Sequence, residues 1–197
     1  MRYRSCDRYV PPGARSVKIV VLGPFAVGKT TFVGTVSEIR PMRTEEEMTQ
    51  AGRLVDDLED LRGKTTTTVA MDFGRLTLTD DIVLYLFGTP GQHRFRGMVR
   101  SLMEGALGGL VLVDTRRIAD SFDAIDLLEE VGLPYTVAVN HFDGAPRYAE
   151  ADLRDSLSMP DHRPLVGLDA RMFSSAKQGL IVLVSDILAH FRPEPAR

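Results

Sequence analysis

The amino-acid sequence predicts an α/β fold, with a mostly parallel six-stranded sheet, one antiparallel edge strand and helices on both faces. Short β-branched, apolar segments alternate along the chain with segments of helical periodicity, which is the pattern of strand–helix–strand units. A glycine-rich loop joins the first predicted strand to the first predicted helix, and the other polar motifs lie at strand ends. Because ligands bind at the carboxyl ends of parallel strands, we expect these motifs to form one site.

The length and charge of the chain limit the classes of protein to consider. Its 197 residues fit one domain, which we place at residues 17–192, between a flexible tail at 1–16 and a short tail at 193–197. The net charge of −3, from 24 basic and 27 acidic residues, gives no electrostatic reason to bind nucleic acid. No apolar run approaches the roughly 18 residues of a transmembrane helix. The single cysteine, Cys6, cannot form an internal disulfide, which favours a reducing compartment such as the cytoplasm.

The first half of the chain predicts a strand, a helix, a long loop and a hairpin. Residues 17–22 are short and β-branched and predict a buried strand, and the turn after it opens a helix that runs to about residue 39. Residues 40–64 are polar and charged with only a weak helical pattern, which is typical of a long functional loop. Residues 67–77 and 82–87 predict two strands joined by a short turn, and therefore an antiparallel hairpin.

The second half of the chain repeats strand and helix three times, after a short helix that ends near Gly105. Ser121 is the expected N-cap of the first helix in this half. The predicted strands lie at residues 107–113, 135–139 and 164–168, and the predicted helices at residues 121–130, 148–157 and 174–191.

The loop at residues 23–30, with the sequence GPFAVGKT, matches the phosphate-binding pattern G-x-x-x-x-G-K-[ST] in full. It stands between a strand and a helix, as that pattern requires, so its backbone N–H groups and the helix N-terminus are expected to surround phosphate groups. Lys29 would reach the β- and γ-phosphates, and the Thr30 hydroxyl would bind Mg²⁺. The residues assigned to this loop site are Gly23, Phe25, Ala26, Val27, Gly28, Lys29, Thr30 and Thr31.

The phosphate loop is followed, in a fixed order, by a threonine run at 65–68, the string TPGQ, an N-x-x-D string and a strand-end Ala-Arg. This ordered set resembles that of the small Ras-like GTPases over roughly residues 16–191. The segments GPFAVGKTTFVGTVSEI, KTTTTVAMDFG, LFGTPGQHRF, LVDTRR and VNHFDG are similar to those of the actinobacterial conservon GTPases, often described only as ATP/GTP-binding proteins. The Thr-Pro-Gly-Gln form is also similar to that of the bacterial polarity GTPase of gliding motility.

The resemblance implies roles for residues that contact the γ-phosphate. The Gly91 amide would meet the γ-phosphate and Gln92 would orient the attacking water, which makes Lys29 and Gln92 the expected catalytic residues. One threonine of the run would bind Mg²⁺ together with Thr30 and would sense the nucleotide state. We favour Thr68 for this role, because the apolar strand starts directly after it.

The resemblance also implies guanine recognition. Asp143 would accept hydrogen bonds from guanine N1–H and the exocyclic amine, a donor pair that adenine lacks, and Asn140 would tie the base loop together. His141 replaces the usual lysine, which puts the guanine affinity in doubt. After the last predicted strand, the Ala170 N–H is expected to meet guanine O6 and the Arg171 stem to lie along the base. A rival Ser-Ala-Lys triplet at 175–177 falls inside the last predicted helix, where Ser174 or Ser175 would cap that helix.

Gly88 stands where small GTPases carry an aspartate near the metal, so we expect Mg²⁺ to be held loosely. Asp72 on the neighbouring strand is the other candidate carboxylate. Its separation from Thr68 along the strand, about 13 Å, favours a surface or structural role instead. The arginines near the motifs are expected mainly to face solvent; they are Arg94, Arg96, Arg116 and Arg117.

The sequence therefore predicts a guanine-nucleotide switch of bacterial signalling that binds GTP and GDP with Mg²⁺ and slowly hydrolyses GTP. Two alternatives stay open: a nucleotide-dependent binding module with negligible hydrolysis, and an ATP-specific P-loop NTPase. The resemblance implies small roadblock-fold proteins and a membrane sensor-kinase system as partners. Such partners would bring a cytoplasmic protein to the periphery of a membrane.

Overall fold

A computed structural model describes residues 10–48 and 67–191, with side chains from 10–42 and 71–191. The strands of the described residues are β1 (Arg15–Leu22), β2 (Met42–Met48), β3 (Thr67–Thr79), β4 (Ile82–Gly88), β5 (Gly108–Val113), β6 (Tyr135–Asn140) and β7 (Leu165–Leu168). The α-helices are α1 (Lys29–Val36), α2 (Arg96–Met103), α3 (Phe122–Val131), α4 (Glu150–Ser156) and α5 (Phe173–His190), and single 3₁₀ turns cover His93–Phe95 and Ile118–Ser121.

The described strands form one sheet in the order β2-β3-β4-β1-β5-β6-β7. From β4 to β7 every neighbouring pair is parallel, whereas β3 runs antiparallel to β4 and β2 runs antiparallel to β3. The predicted α/β class and the antiparallel hairpin are therefore confirmed. A seventh strand is added by β2, and it displaces β3 from the edge of the sheet.

The sequence analysis missed β2 because its residues, MRTEEEM, lack the apolar alternation of a half-buried strand. An edge strand needs only main-chain pairing on one side, and charged residues are a common feature of sheet edges. Residues 42–48 pair with β3 in regular antiparallel register, from Met42 opposite Phe73 to Met48 opposite Thr67. The remainder of the predicted loop, residues 49–64, lies outside the described residues.

Two apolar cores cover the two faces of the sheet. Alternate residues of β1 enter different cores: Ile19 and Val21 pack with α1 and α5, while Val20 and Leu22 pack with α2 and α3. Both cores consist mainly of apolar side chains, with the Thr136 hydroxyl of β6 also buried, and the parallel strands place their carboxyl ends at one edge. This edge carries the motifs of the candidate site.

Several helix and strand ends differ from the prediction. The first strand begins at Arg15, two residues early, and α1 ends at Val36 rather than near residue 39. Ser121 occupies the N-cap position of α3 but makes no capping hydrogen bond, and its hydroxyl is buried without a partner. Among the helices of the described ranges, none has the length and apolar character needed to cross a membrane.

Candidate nucleotide-binding site

The carboxyl ends of four strands bring the sequence motifs together. The phosphate loop follows β1, residues 89–92 follow β4, residues 141–143 follow β6 and residues 169–171 follow β7. Between the phosphate loop and residues 89–92 lies an open cleft of about 390 Å³, whose walls include Thr30 and the exposed side chain of Thr31. A second, exposed depression at the base loops is lined by residues 141–145 together with Asp169, Arg171 and Met172, among others.

The phosphate loop contains three residues with positive φ: Gly23 at 133°, Ala26 at 62° and Gly28 at 103°. A Cβ on Gly23 would lie 2.4 Å from the Leu112 carbonyl oxygen, so that position requires glycine on steric grounds as well. Left-handed residues within such a turn create the concave row of amides that binds anions. The Phe25 and Ala26 side chains are exposed, whereas Val27 is buried in the core beneath the loop.

Lys29 lies across the phosphate loop and is 8% exposed. Its Nζ donates to the carbonyl oxygens of Gly23 and Pro24, each at 2.7 Å. Burial lowers the pKa of Lys29 to about 8, and the nearby charge of Asp72 partly opposes this shift. At neutral pH the ammonium group therefore remains charged in the cleft, where phosphate oxygens would offset the loss of its hydration.

Thr30 and Asp72 form a direct contact beside Lys29. The Thr30 hydroxyl donates to Asp72 Oδ2 at 2.5 Å, and Asp72 is buried. Asp72 lies directly opposite Gly88 in the β3–β4 pair, and a Cβ on Gly88 would come within 3.1 Å of the Asp72 Cβ. The expectation that an unshifted strand leaves Asp72 too far from the site was therefore wrong, as was a surface position for this residue. Opposed residues of an antiparallel pair share one face of the sheet, so the Asp72 carboxylate occupies the space next to Gly88 without any shift of the strand.

This pair of oxygen donors fits Mg²⁺. Mg²⁺ takes one or two protein oxygens, keeps several waters and completes its shell with substrate phosphates, so Thr30 and Asp72 beside the phosphate loop are a suitable set. Within the part of the chain that the structure describes, no group of three or more His, Cys, Asp or Glu residues could hold an ion. The other predicted ligand, Thr68, pairs with Glu47 through its backbone, but its side chain lies outside the described ones, as do Thr65 and Thr66 altogether.

Residues 89–92 pass directly over the phosphate loop. The Thr89 N–H and hydroxyl both donate to the Val21 carbonyl oxygen, at 3.0 Å and 3.2 Å, and so fix the start of this segment to β1. A Cβ on Gly91 would lie 2.6 Å from both Lys29 Nζ and the Phe25 nitrogen, so only glycine fits there. Gln92 is exposed and lines the same cleft as Lys29. The structure thus brings both residues of the predicted Gly-Gln pair to the phosphate loop.

Arg116 and Arg117 are exposed, as predicted, and they also make contacts to loops of the site. Arg117 donates to the Phe25 carbonyl oxygen of the phosphate loop at 3.1 Å. Arg116 binds the fully buried Asp114 and lies over the ring of Phe142, 4.1 Å from its centre. Both contacts connect the loop after β5 to a neighbouring loop of the site.

Of the two arginines that follow Gln92, Arg94 is exposed, as predicted, and Arg96 is half-buried. Arg96 on α2 pairs with Glu130 and, at 3.8 Å, with Asp123, both on α3, while Arg94 lies over the Phe95 ring. The sequence analysis did not single out Asp114 or Thr115, whose hydroxyl donates to the Pro146 carbonyl oxygen at 2.8 Å. The available signal was their position directly after a strand at the motif-bearing edge of the sheet.

Asn140 joins the phosphate loop to the base loops. Its Nδ2 donates to the Val27 carbonyl oxygen at 2.9 Å, and its Oδ1 accepts from the Ala170 N–H at 2.9 Å. Asn140 is 4% exposed, so these bonds are protected from water. The Ala170 N–H, expected to meet guanine O6, is therefore engaged by Asn140 instead.

Asp143 and Arg171 face each other at the base loops. Arg171 Nη1 and Nη2 donate to the two carboxylate oxygens of Asp143 at 2.9 Å and 3.1 Å, and the same guanidinium also binds Asp169. These hydrogen bonds from Arg171 lower the pKa of Asp143 and bring the pKa of Asp169 to about 2. The His141 ring lies close to Gly167, since a Cβ on Gly167 would be 3.2 Å from His141 Nε2.

The structure separates the two triplets considered for the last base contact. Residues 169–171 directly follow β7, whereas residues 175–177 lie in the first turns of α5. The N-cap of α5 is Met172, so neither Ser174 nor Ser175 caps the helix as expected. The Ser175 hydroxyl instead accepts a hydrogen bond from the Asp169 N–H at 3.0 Å.

Two sequence relatives match most of this chain. The protein named Uncharacterized protein MJ1339, from Methanocaldococcus jannaschii, is 28% identical over 176 residues, which are 88% of this chain and 96% of that protein. The Ras and EF-hand domain-containing protein of Xenopus tropicalis is 27% identical over 157 residues, which are 75% of this chain and 18% of that protein. This chain therefore corresponds to a small part of the Xenopus protein.

Comparison with solved structures identifies the fold. The G domain of the FeoB iron transporter of T. maritima matches with a TM-score of 0.60 at 18% identity, over 90% of this chain and 100% of that chain. The family model described as "Conserved hypothetical ATP binding protein" matches residues 21–194. The chain therefore belongs to the family of that description, as a P-loop nucleotide-binding protein with the fold of a GTPase G domain.

Proposed function

We propose that this protein is a guanine-nucleotide switch that binds GTP and GDP with Mg²⁺ and hydrolyses GTP slowly. The observation that carries this proposal is the Asn140 bridge, which links the phosphate loop at Val27 to the loop that presents Asp143. One nucleotide can therefore contact the phosphate cleft and Asp143 together, with its phosphates near Lys29 and its base at the exposed carboxylate.

Each residue of the phosphate cleft has a chemical task in this proposal. Lys29 and the amides of the phosphate loop would bind the phosphate oxygens, and the Gly91 amide would meet the terminal phosphate; the close approach of Gly91 to Lys29 Nζ supports this role. Thr30 and Asp72 would hold Mg²⁺, with Thr68 as the proposed ligand from β3. The ion supplies charge that neutralises the phosphates.

Hydrolysis would depend on positioning and on transition-state charge. Gln92 lines the cleft and would orient the attacking water through its amide. Among the described residues no arginine lines this cleft, so we expect slow turnover until a partner supplies one. The conservon resemblance, with its roadblock-fold and sensor-kinase partners and its cytoplasmic location, stays a prediction.

The decisive experiment is base selection by the Asp143→Asn variant. An amide offers one acceptor and one donor where guanine needs two acceptors, so the preference for GTP over xanthosine triphosphate should fall by about 10-fold or more. Asp161→Asn, an exposed aspartate outside the site, is the matched control. Competition of unlabelled nucleotides against fluorescent GDP measures both variants. An unchanged preference in Asp143→Asn would show that Asp143 does not bind the base.

An ATP-specific function is the second candidate. The description of the matched family names ATP, and Arg171 occupies the Asp143 carboxylate in this structure. Equal displacement of fluorescent GDP by ATP and GTP would favour this candidate over a guanine switch.

Hydrolysis is tested separately from binding. Single-turnover assays with GTP should show a slow rate that falls in Gln92→Leu, while GTP affinity stays within about twofold, because the amide acts on water only in the transition state. If wild-type protein binds GTP without measurable turnover, the nucleotide-dependent binding module becomes the better description.

A further inference from the structure

The Arg171 guanidinium binds the Asp143 carboxylate in a bidentate arrangement. Its Nη1 and Nη2 each donate to a different oxygen of the same carboxylate, at 2.9 Å and 3.1 Å. Such paired bonds come from the planar guanidinium, whose N–H groups match the two oxygens of a carboxylate. Lysine, with a single point charge, cannot form this pair of bonds.

Guanine presents a similar pair of neighbouring N–H donors to a carboxylate. Its N1–H and one exocyclic N–H lie side by side in the plane of the base and point in nearly the same direction. A guanine bound at Asp143 would therefore use the two oxygens that Arg171 now occupies. Adenine has no such pair of donors and cannot compete for them.

We propose that Arg171 is an internal mimic of guanine, which binds the base-reading carboxylate Asp143 and is displaced when a guanine nucleotide binds. This inference rests on the proposed function, because it requires Asp143 to be the residue that reads the base. It makes Arg171 a residue that sets guanine affinity by competition, in addition to any contact of its stem with the base.

Asp169 lowers the free-energy cost of displacing Arg171 from Asp143. The Arg171 Nε donates to Asp169 Oδ1 at 2.9 Å, and Nη2 donates to Asp169 Oδ2 at 2.8 Å. Arg171 can thus release Asp143 and stay bound to Asp169. The three side chains differ in exposure, with Asp143 at 88%, Arg171 at 55% and Asp169 at 17%, so Asp169 is the better protected partner.

The competition should be modest, because the Asp143–Arg171 pair is exposed to water and salt. The Arg171→Lys variant loses the paired guanidinium donors but keeps the positive charge, so it should tighten GDP binding by about two- to fivefold. ADP binding should not change, since adenine does not use the two oxygens. The gain should shrink between about 0.05 M and about 0.5 M KCl, because salt screens an exposed ion pair.

A second substitution should act in the opposite direction. In Asp169→Asn, Arg171 loses its charged alternative partner and holds Asp143 more firmly, so GDP binding should weaken. In the double variant Asp169→Asn, Arg171→Lys this loss of GDP affinity should disappear, because no guanidinium competes for the Asp143 carboxylate. Arg100→Lys, at an exposed arginine of α2 that pairs with Glu130 outside this depression, is the matched control and should leave GDP affinity unchanged.

Isothermal titration of GDP and ADP into the nucleotide-free protein tests the proposal. Tighter GDP binding in Arg171→Lys, with unchanged ADP binding and rescue in the double variant, would support it. Equal or weaker GDP binding in Arg171→Lys would overturn it, while wild-type preference for GDP and its loss in Asp143→Asn would leave the proposed function standing. If wild-type protein shows no preference for GDP and Asp143→Asn changes nothing, the proposed function fails and the mimic fails with it.

Discussion

Individual charged side chains in the phosphate cleft are held close to one another, and their ionisation depends on this. Lys29 is removed from water by the loop it crosses, and its pKa falls to about 8. The structure compensates its charge with two carbonyl oxygens and with the nearby Asp72. A phosphate group in the cleft would add a full negative charge, which favours the protonated form of Lys29.

This lowered pKa predicts a pH dependence of nucleotide affinity. Below pH 8 Lys29 is already charged, whereas above pH 8 the empty site must take up a proton to bind phosphate, so GDP affinity should fall by about tenfold between pH 7 and pH 9. Titrations across this range measure the effect. Lys29→Arg is the control, because its guanidinium stays charged, and equal slopes in the two proteins would contradict the assignment.

Asp72 and Gly88 lead to a prediction about the metal. Asp72→Ala should weaken the Mg²⁺ dependence of GDP release by about 10-fold or more, since a charged oxygen donor is lost. Adding Gly88→Asp should restore part of it, because the two positions lie opposite each other on one face. In Gly88→Asp alone, the new Cβ would lie 3.1 Å from the Asp72 Cβ and bring a second carboxylate next to Asp72, so this variant should not bind Mg²⁺ more tightly.

Mg²⁺ titration of GDP release measures all three variants, with thermal unfolding as a check on the fold. Tighter Mg²⁺ dependence in Gly88→Asp alone would show that Asp72 is not the carboxylate near the ion. If the Mg²⁺ dependence of GDP release does not recover in the double variant, a carboxylate at position 88 cannot replace the one at position 72.

Among the elements, the turn between β1 and α1 depends on the base loop. Gly28 at the N-cap of α1 has φ 103°, and a Cβ there would lie 2.7 Å from Asn140 Nδ2. The helix that carries Lys29 therefore begins where Asn140 fixes the loop. A larger residue at position 28 would disturb both the turn and the bridge to Ala170.

Gly28→Ala should lower the free energy of unfolding by about 1–3 kcal/mol, from the left-handed backbone together with the contact to Asn140. Gly132→Ala is the matched control, since Gly132 has φ 72° but a Cβ there would meet no atom within 4 Å. Comparing the urea unfolding of the two variants shows how much of the loss in unfolding free energy comes from the steric contact with Asn140. Equal losses would show that Asn140 moves aside without cost.

The elements also show where sequence reasoning works. Buried strands such as β5 and β6 were predicted within a residue or two, because parallel strands covered on both faces are continuously apolar. The edge strand β2 was missed, because main-chain pairing leaves no apolar pattern in its charged residues. Asp72 was misjudged, because its place is set by the neighbour across the sheet and not by its distance along the strand. Contacts such as Asp143 with Arg171 depend on how two loops face each other, which one sequence does not state.

The whole molecule depends on close packing of helices against both faces of β5. A Cβ on Gly108 would lie 2.6 Å from Ile187 Cδ1 on α5, and a Cβ on Gly109 would lie 2.6 Å from Leu128 Cδ2 on α3. Two consecutive glycines point to opposite faces of the sheet, so each lets one helix approach. Helices α5 and α3 therefore approach the sheet from opposite sides at two neighbouring residues of β5.

Gly108→Ala should lower the free energy of unfolding by about 1–3 kcal/mol, because the added methyl group also meets the Pro134 carbonyl oxygen, a backbone atom that cannot rotate away. Gly97→Ala, on α2 with nothing within 4 Å, should be neutral or stabilise the protein by up to about 1 kcal/mol. Chemical denaturation compares the two. A neutral Gly108→Ala would mean that α5 can shift away from β5.

The crowding between Asp72 and Gly88 has a consequence for the history of this family. Positions 72 and 88 lie directly opposite each other and in tight contact at the end of β4, so either strand can supply the carboxylate there and we expect the two positions to vary together. A lineage that gained an acid at position 88 would be under pressure to lose the one at position 72, and a lineage that lost both would lose the charged metal-side oxygen. Relatives with glycine at position 88 should therefore keep an acid at position 72, and relatives with aspartate at position 88 should carry a small or neutral residue at position 72.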